Sequence, residues 1–147
     1  MIALIQRVSE ASVRIDGEVV GAIGPGLVAL VAVEAGDTPR AVARTLERLL
    51  GYRVFPDDQG RMNRSLRETG GGLLLVPQFT LAADTQKGMR PSFSGAATPE
   101  QGAALFERLL TQAQSAHPIV ASGRFGADMQ VGLINDGPVT FWLQTRP

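Results

Sequence analysis

Cysteine is absent from this chain of 147 residues, and the only histidine is His117. Without cysteine there can be no thiol nucleophile, no disulfide and no thiolate metal site. A single histidine argues against a Ser-His-Asp triad and against a multi-histidine zinc site. His117 precedes Pro118 at the predicted end of a helix, and we expect it to be a solvated helix-end residue rather than a catalytic base. We therefore predict no metal and no other cofactor.

A net charge of either sign is also lacking, since 14 basic residues balance 14 acidic ones. The chain has no global basic field, which argues against extensive duplex binding but leaves open recognition of one nucleotide or one nucleic-acid terminus. Arg7 and Glu10 fall within the first ten residues, and no long apolar segment precedes a cleavage-like site. The sequence therefore predicts neither a signal peptide nor a membrane span, and a cytoplasmic location.

Hydrophobic residues make up 44% of the chain, which is enough to form a core. The length of 147 residues is typical of one domain. We expect a single domain over residues 1–147. Two-residue alternation and short apolar runs predict β-strands. These strands are expected at residues 2–8, 11–15, 18–23, 27–33, 73–76, 119–122, 128–134 and 139–143.

Two helices are predicted from Thr-Pro pairs at Thr38-Pro39 and Thr98-Pro99, where threonine is an N-cap and proline occupies the first turn. The first helix should run to about Leu50, with Gly51 as its C-cap. The predicted fold class is α/β: one compact domain of mostly antiparallel β-sheets packed with two main helices.

A Gly-Pro dipeptide, Gly137-Pro138, interrupts the alternating pattern near the C-terminus. Proline cannot donate to a strand ladder, and glycine reaches backbone angles that other residues avoid. One interpretation is irregular backbone with free carbonyl groups held between two strands. The other is a hairpin turn, because Asn-Asp-Gly-Pro is rich in turn formers.

A second candidate segment is Gln78-Phe79-Thr80, at the end of a predicted buried strand, where open sheets commonly bind ligands. Thr80 could act as a nucleophile only if a base activated it. Alternatively, backbone N–H groups here could stabilise an oxyanion, which needs no special side chain. A structural alternative is that Phe79 is core and Thr80 simply favours the strand.

Two further segments have ambiguous patterns. In residues 87–93, a basic pair with Phe93 could hold a phosphate and stack a base, or could be a solvated loop pinned by that phenylalanine. In residues 123–129, two glycines allow close approach of the backbone. Phe125 and Met129 there could line a pocket or could pack in the core.

Taken together, these segments resemble the D-aminoacyl-tRNA deacylases in order and approximate spacing, over essentially the whole chain. The residues that carry the resemblance are Arg7-Val8, Ala11-Ser12-Val13, residues 57–63, Gln78-Phe79-Thr80-Leu81, Lys87-Gly88 with Arg90-Pro91-Ser92-Phe93, Phe125-Gly126-Ala127-Asp128-Met129, and Asn135-Asp136-Gly137-Pro138-Val139-Thr140.

The resemblance implies α/β/β layers and hydrolysis of the ester that joins a D-amino acid, or mischarged glycine, to the 3′ end of tRNA. It implies a homodimer with active sites at the subunit interface. Gly137-Pro138 would be a Gly-cisPro element that enters the partner's site and excludes L-amino acids. Catalysis would fall to Gln78, Phe79 and Thr80, with the substrate bound by Gly137, Pro138, Arg7, Phe125, Met129 and Phe93.

Two positions depart from the family pattern. Pro77 stands where the family usually has serine, which removes a hydroxyl and a backbone N–H. Met89 replaces what is often a second basic residue. Two other functions are therefore considered: a non-catalytic module that binds a nucleotide or an RNA end, and a Thr80-dependent hydrolase of another small ester.

Overall fold

The structure is a computed structural model that describes residues 1–146. These residues form eight β-strands, three α-helices and one short 3₁₀ turn. The strands are β1 (Ile2–Ile15), β2 (Glu18–Ile23), β3 (Gly26–Ala32), β4 (Phe55–Pro56), β5 (Met62–Arg64), β6 (Gly72–Pro77), β7 (Val120–Ser122) and β8 (Gln130–Gln144). The helices are α1 (Pro39–Gly51), α2 (Leu66–Thr69) and α3 (Pro99–Ala116), and the 3₁₀ turn is Phe79–Ala82.

The long strand β1 organises the main sheet. Its first half pairs with β3 and its second half with β2, while β8 pairs with it along both halves, all antiparallel. From β3 the sheet continues through β6 to β7 by parallel pairing. Gly21 of β2 lies against β7, where an added Cβ would come 2.6 Å from the Ser122 carbonyl oxygen. The sheet therefore curls until β2 packs against its far edge.

Alternation along the central strands divides the apolar residues between two cores. Leu73 and Leu75 of β6 face the cluster that holds α1 and α3, whereas Leu74 and Val76 face the cluster inside the curl. Since successive side chains of a strand point to opposite faces, one sheet serves both cores. The result is a helix layer on a curled β structure, which confirms the predicted α/β fold class.

Both long helices begin as their capping residues predict. Thr38 accepts from the Ala41 N–H and Thr98 from the Gln101 N–H. The predicted end of α1 is wrong by one residue: Gly51 is still helical and Tyr52 is the C-cap, in extended conformation. None of the helices in the described part of the chain is both long and apolar enough to cross a membrane.

The expectation of a solvated His117 is also wrong. His117 is the C-cap of α3 and is only 4% exposed. Its Nε2 lies 2.6 Å from the carbonyl oxygen of Gly71, just before β6. Buried polar groups need such partners, so this contact ties the end of α3 to the start of β6. Histidine here is a structural residue.

The hairpin interpretation of residues 135–140 is wrong, and the irregular-backbone interpretation is confirmed. Asn135 pairs with Val8 and Thr140 pairs with Gln6, so both sides of the segment pair with β1 in the same direction. Residues 136–139 have no pairing partner in β1. β8 therefore continues past a wide bulge, opposite Arg7, rather than reversing.

A close approach of β3 to β6 predicts a sharp difference between two neighbouring glycines. At Gly26, an added Cβ would lie 2.0 Å from the carbonyl oxygen of Gly72, whereas at Gly24 it would meet nothing within 4 Å. Backbone cannot move aside as a flexible side chain can. We expect Gly26→Ala to lower the free energy of unfolding by about 2 kcal/mol or more, measured by urea denaturation. Gly24→Ala is the control and should be close to neutral.

Candidate active site

A cleft of about 250 Å³ opens where β6 ends. Pro77, Gln78 and Phe79 form one wall, and the segment between β7 and β8 forms the other. The remaining lining residues are Val76, Phe125, Gly126, Ala127, Met129 and Val131. The end of a buried strand thus forms one side of the cleft, as expected for ligand sites in open sheets.

A second cleft of about 230 Å³ adjoins the first and shares Phe79, Phe125 and Gly126 with it. Its other walls are Val31 of β3, Val33 just after that strand, residues 97–99 around the start of α3, and Gly102 and Phe106 within that helix. Neither cleft has an ionisable side chain in its lining. Within one chain, the polar groups of these two linings are main-chain groups, the Gln78 amide and the Thr98 hydroxyl.

Phe79 and Phe125, the two aromatic residues shared by both clefts, are too exposed to be ordinary core. Phe79 is 56% exposed and Phe125 is 37% exposed. Phe93 packs on Phe79 with ring centroids 5.2 Å apart and planes tilted by 48°. Exposed aromatic faces at a cleft are suited to stack on a planar ligand such as a nucleobase. The interpretation of Phe79 as core is wrong.

Two backbone N–H groups at the 3₁₀ turn are not used by the turn itself. The Gln78 N–H donates to the Val31 carbonyl at 2.7 Å, and the first turn bond runs from the Leu81 N–H to the Gln78 carbonyl at 3.2 Å. The N–H groups of Phe79 and Thr80 lie between these donors, at the start of the turn, where helical N–H groups lack internal acceptors. N–H groups at such a position are available to an external acceptor.

The Thr80 hydroxyl has an amide neighbour rather than a base. Its oxygen accepts a hydrogen bond from Nε2 of Gln78. An amide cannot remove a proton, so this contact orients the hydroxyl without activating it. The local geometry thus favours the backbone N–H groups over the Thr80 side chain as the reactive feature.

Pro77 is the last residue of β6 and stands where the pairing of this strand with β7 stops. The Leu75 carbonyl accepts from the Gly123 N–H, and the Gln78 N–H turns to β3. By alternation the Pro77 nitrogen faces the β7 side, beyond Leu75↔Ser122, which is the last β6–β7 pair. Proline therefore stands where the β6–β7 pairing has ended, and Pro77 forms part of the cleft wall.

The bulge of β8 is fixed at its base by hydrogen bonds of the Asn135 side chain. The Asn135 side chain accepts from the Val139 N–H at 2.8 Å and donates to the Thr140 hydroxyl at 3.0 Å. Val139 is buried in the helix-side core, whereas Gly137 and Pro138 are exposed. The Gly137-Pro138 peptide bond is cis, as the resemblance implies. Two exposed residues are thus presented on an anchored base.

Arg7 joins the bulge to the rest of the fold. Its Nε donates to the Asp136 carbonyl at 2.9 Å, and its Nη1 donates to the Val54 carbonyl at 2.7 Å. The Asp136 carboxylate lies 3.7 Å from Nε and is mostly exposed. Because charge-assisted hydrogen bonds are stronger than neutral ones, Arg7 restrains the bulge from the β1 side.

The predicted site residues thus fall into two groups within one chain. Gln78, Phe79, Phe125 and Met129 line the first cleft, with Thr80 and Phe93 beside it. Arg7, Gly137 and Pro138 form the second group, and none of them lines either cleft. Sequence reasoning missed the clamping role of Asn135, which its turn-forming character could have suggested, and the Val54 carbonyl, for which no sequence signal exists.

Outside the clefts, the β4–β5 hairpin holds a carboxylate with a shifted pKa, that of Asp57. The pKa of Asp57 is lowered, chiefly by the hydrogen bond from the Asn63 side chain and then by the backbone N–H groups of Arg61 and Gln59. These bonds close the loop around one carboxylate, which gives residues 57–63 a structural role. Within residues 1–146, no group of three acidic, histidine or cysteine side chains is placed to hold a metal ion.

Comparisons with known proteins agree on one family. The model of the D-Tyr-tRNA(Tyr) deacylase family matches residues 4–144. A D-aminoacyl-tRNA deacylase of Thioalkalivibrio sulfidiphilus is 67% identical over 147 residues, covering 100% of this chain and 99% of the relative.

Solved structures with the same fold include a c-Myc DNA unwinding element binding protein, at a TM-score of 0.95 and 35% identity over 100% of both chains. A probable eukaryotic D-amino acid tRNA deacylase matches at a TM-score of 0.83, with 20% identity over 97% of each chain. The second likeness concerns the fold alone. Because the family model spans nearly the whole chain and the bacterial relative matches it end to end, this chain belongs to the D-Tyr-tRNA(Tyr) deacylase family.

Proposed function

We propose that this protein is a D-aminoacyl-tRNA deacylase that uses main-chain groups to hydrolyse the ester of D-aminoacyl-tRNA and of glycine mischarged on tRNA. The observation that carries the proposal is a cleft without ionisable side chains, beside two N–H groups that the 3₁₀ turn leaves without acceptors. The named activity of the 67% identical relative supports it. Residues 1–147 form a single deacylase domain, and the cytoplasm, where tRNA is charged, is its place of action.

In the proposed reaction, water attacks the ester carbonyl carbon and its proton passes to the ribose oxygen that leaves. The carbon–oxygen bond to the ribose breaks, which releases the free amino acid and tRNA. The N–H groups of Phe79 and Thr80 donate to the oxyanion that forms on the carbonyl oxygen, and one such donor contributes about 3–4 kcal/mol in other enzymes. The neighbouring 2′-hydroxyl of the ribose assists the water, because Gln78 offers only an amide.

The terminal adenosine is bound by the aromatic part of the site. Phe125 and Met129 line the first cleft, and Phe93 supports Phe79 from outside. Stacking of a base on an aromatic side chain contributes about 1–3 kcal/mol. A planar purine and the exposed faces of these rings are matched in shape and polarity.

Selection for the D configuration is assigned to Gly137 and Pro138. Their carbonyl groups receive the substrate ammonium, and the rigid bulge leaves no space on the side where an L side chain would project. Glycine mischarged on tRNA has no side chain, so the bulge does not exclude it. Steric exclusion of L-amino acids requires that the bulge stay in place when a side chain presses on it. The hydrogen bonds of Asn135 and Arg7 hold it there.

These two groups of residues meet across a homodimer interface. Within one chain, Gly137 and Pro138 line neither cleft, which supports the proposal that a second subunit brings them to the ester. β8 also carries exposed apolar side chains, with Ile134 54% and Trp142 52% exposed. Such residues on one strand are suited to an interface between subunits. Closed two-fold symmetry then gives two equivalent sites.

The first prediction about activity concerns the configuration of the amino acid on the tRNA. The purified protein should deacylate D-Tyr-tRNA at least about a hundredfold faster than L-Tyr-tRNA, because the L side chain meets the bulge. Release of radiolabelled tyrosine from tRNA measures both rates under identical conditions. Equal rates on the two esters would remove the proposed function, as would failure to cleave either one.

The second prediction concerns Thr80. Thr80→Ala should keep kcat within about tenfold of the original protein, since the backbone N–H remains, whereas loss of a true nucleophile costs about a millionfold. Single-turnover hydrolysis of D-Tyr-tRNA is the measurement. A collapse of the rate in this variant, with an unchanged melting temperature, would instead make the hydroxyl the nucleophile.

The third prediction concerns Gly137, whose φ of +154° suits glycine and whose added Cβ would lie 2.6 Å from Cγ2 of Val139. Gly137→Ala should displace the bulge and slow D-Tyr-tRNA cleavage by about a hundredfold, with the fold retained in circular dichroism. Gly132→Ala, on the same strand, is the matched control, since its Cβ would meet only the Ser12 hydroxyl at 3.8 Å. Normal cleavage by Gly137→Ala would show that the bulge is misplaced in the proposal.

Mixing subunits tests whether the site is shared. Gly137→Ala and Phe125→Ala damage different groups, so a mixed dimer contains one site with both defects and one intact site. Random reassociation of two inactive variants should restore about a quarter of the original activity. No recovery after confirmed subunit exchange would argue that each chain supplies its own Gly-Pro element.

A further inference from the structure

An arginine stripe runs along the exposed side of α1. Arg40, Arg44 and Arg48 follow one another at intervals of four residues, which places them on one helix face in steps of about 6 Å. Arg40 and Arg44 are exposed, and Arg48 is half-buried. A fourth cation, Arg146, lies in the segment that follows β8. These four arginines are called the basic stripe below.

The basic stripe borders a single depression. Arg40, Arg44 and Arg146 line a cleft of about 410 Å³ together with Ala41 and Thr145. Arg48 joins it to β8, since its Nη1 donates to the Gln144 carbonyl at 3.3 Å. The same guanidinium lies 5.7 Å from the centre of the Tyr52 ring. The arginines of α1 and Arg146 of the C-terminal segment thus line the same cleft.

The acidic residues nearby neutralise this surface only in part. Arg44 pairs with Glu47 at 2.8 Å, but both side chains are more than half exposed, so the pair is weak. Asp37 is buried, where it accepts from the α-amino group of Met1 at 2.7 Å. Across the described residues, Arg40 and Arg146 take part in no ion pair with a carboxylate. Local positive charge therefore exists in a chain whose net charge is zero.

We propose that the basic stripe binds phosphate groups of the tRNA acceptor arm, beyond the terminal adenosine. Several guanidinium groups at regular spacing are suited to a row of phosphates, because each can donate two parallel hydrogen bonds to one phosphate. Phosphate contacts of this kind position a nucleic acid without reading its bases. This inference rests on the proposed function, because it assumes that the ester is carried on tRNA.

The position of the basic stripe separates its role from that of the active site. From Pro138 to Gln144, β8 advances six residues, or about 20 Å. The cleft that the basic stripe lines also shares no lining residue with the two clefts of the candidate site. A substrate that ends at the adenosine should therefore not respond to the basic stripe.

The test uses a triple variant, Arg40→Gln with Arg44→Gln and Arg146→Gln. Arg48 is kept because it packs on Tyr52. The matched control is Arg14→Gln with Arg67→Gln and Arg108→Gln, which removes the same charge from exposed arginines outside the basic stripe. Both are measured for binding of uncharged tRNA at several KCl concentrations, and for hydrolysis of D-Tyr-tRNA and of D-tyrosyl-adenosine.

We expect the stripe variant to bind uncharged tRNA at least about tenfold more weakly at low salt, and its slope of log Kd against log salt to fall by about two. Its KM for D-Tyr-tRNA should rise, with kcat unchanged and with D-tyrosyl-adenosine cleaved at the original rate. The control triple should lose much less affinity.

Other outcomes overturn the inference. Equal loss in the two triple variants would show a non-specific effect of charge, and an unchanged salt slope would show that the arginines do not contact phosphate. A slower D-tyrosyl-adenosine reaction would assign them to the active site. Because uncharged tRNA binding needs no turnover, failure of the proposed deacylation leaves this test readable: a protein that binds tRNA through the basic stripe and cleaves nothing would fail the first proposal alone.

Discussion

The pairing of β8 with β1 across a bulge is the constraint on which the rest of the structure depends. Two residues of β8, Asn135 and Thr140, keep nearly adjacent partners on β1, so the four residues between them must leave the sheet. Val139 returns to the helix-side core and fixes the depth of the bulge. Burial below and ladder pairing on both sides determine where Gly137 and Pro138 stand, and no flexible loop is involved.

The two candidate elements of the site, the 3₁₀ turn and the bulge of β8, arise at two places where the regular pairing of the same sheet is interrupted. At the end of β6, the ladder stops because β7 is short, and the chain turns into a 3₁₀ segment whose first N–H groups are free. At the bulge, carbonyl groups lack ladder partners for the opposite reason, an excess of residues in β8. Donors and acceptors thus become available wherever regular pairing is interrupted. The proposed chemistry requires both kinds of interruption to be brought together.

Local patterns in the sequence predicted much of the fold and less of the site. Thr38-Pro39 and Thr98-Pro99 identified both helix starts because capping is a local interaction. The strands were recognisable from alternation, but the two shared cores and the curl were not, since they depend on which strands become neighbours. The burial of His117 was missed because its partner, the Gly71 carbonyl, lies 46 residues away in sequence. Asn135 was visible as a residue, yet its clamp on Val139 depends on the bulge.

A site built from the polypeptide backbone has an unusual relation to mutation. Substituting Gln78, Phe79 or Thr80 alters a side chain but leaves each residue's N–H in place, so point changes can adjust this region without deleting its donors. What such a site cannot tolerate is a change in chain path, such as an inserted residue in the 3₁₀ turn or a deletion within β8. We therefore expect natural variation around the 3₁₀ turn to favour exchanges of residue type over differences in length.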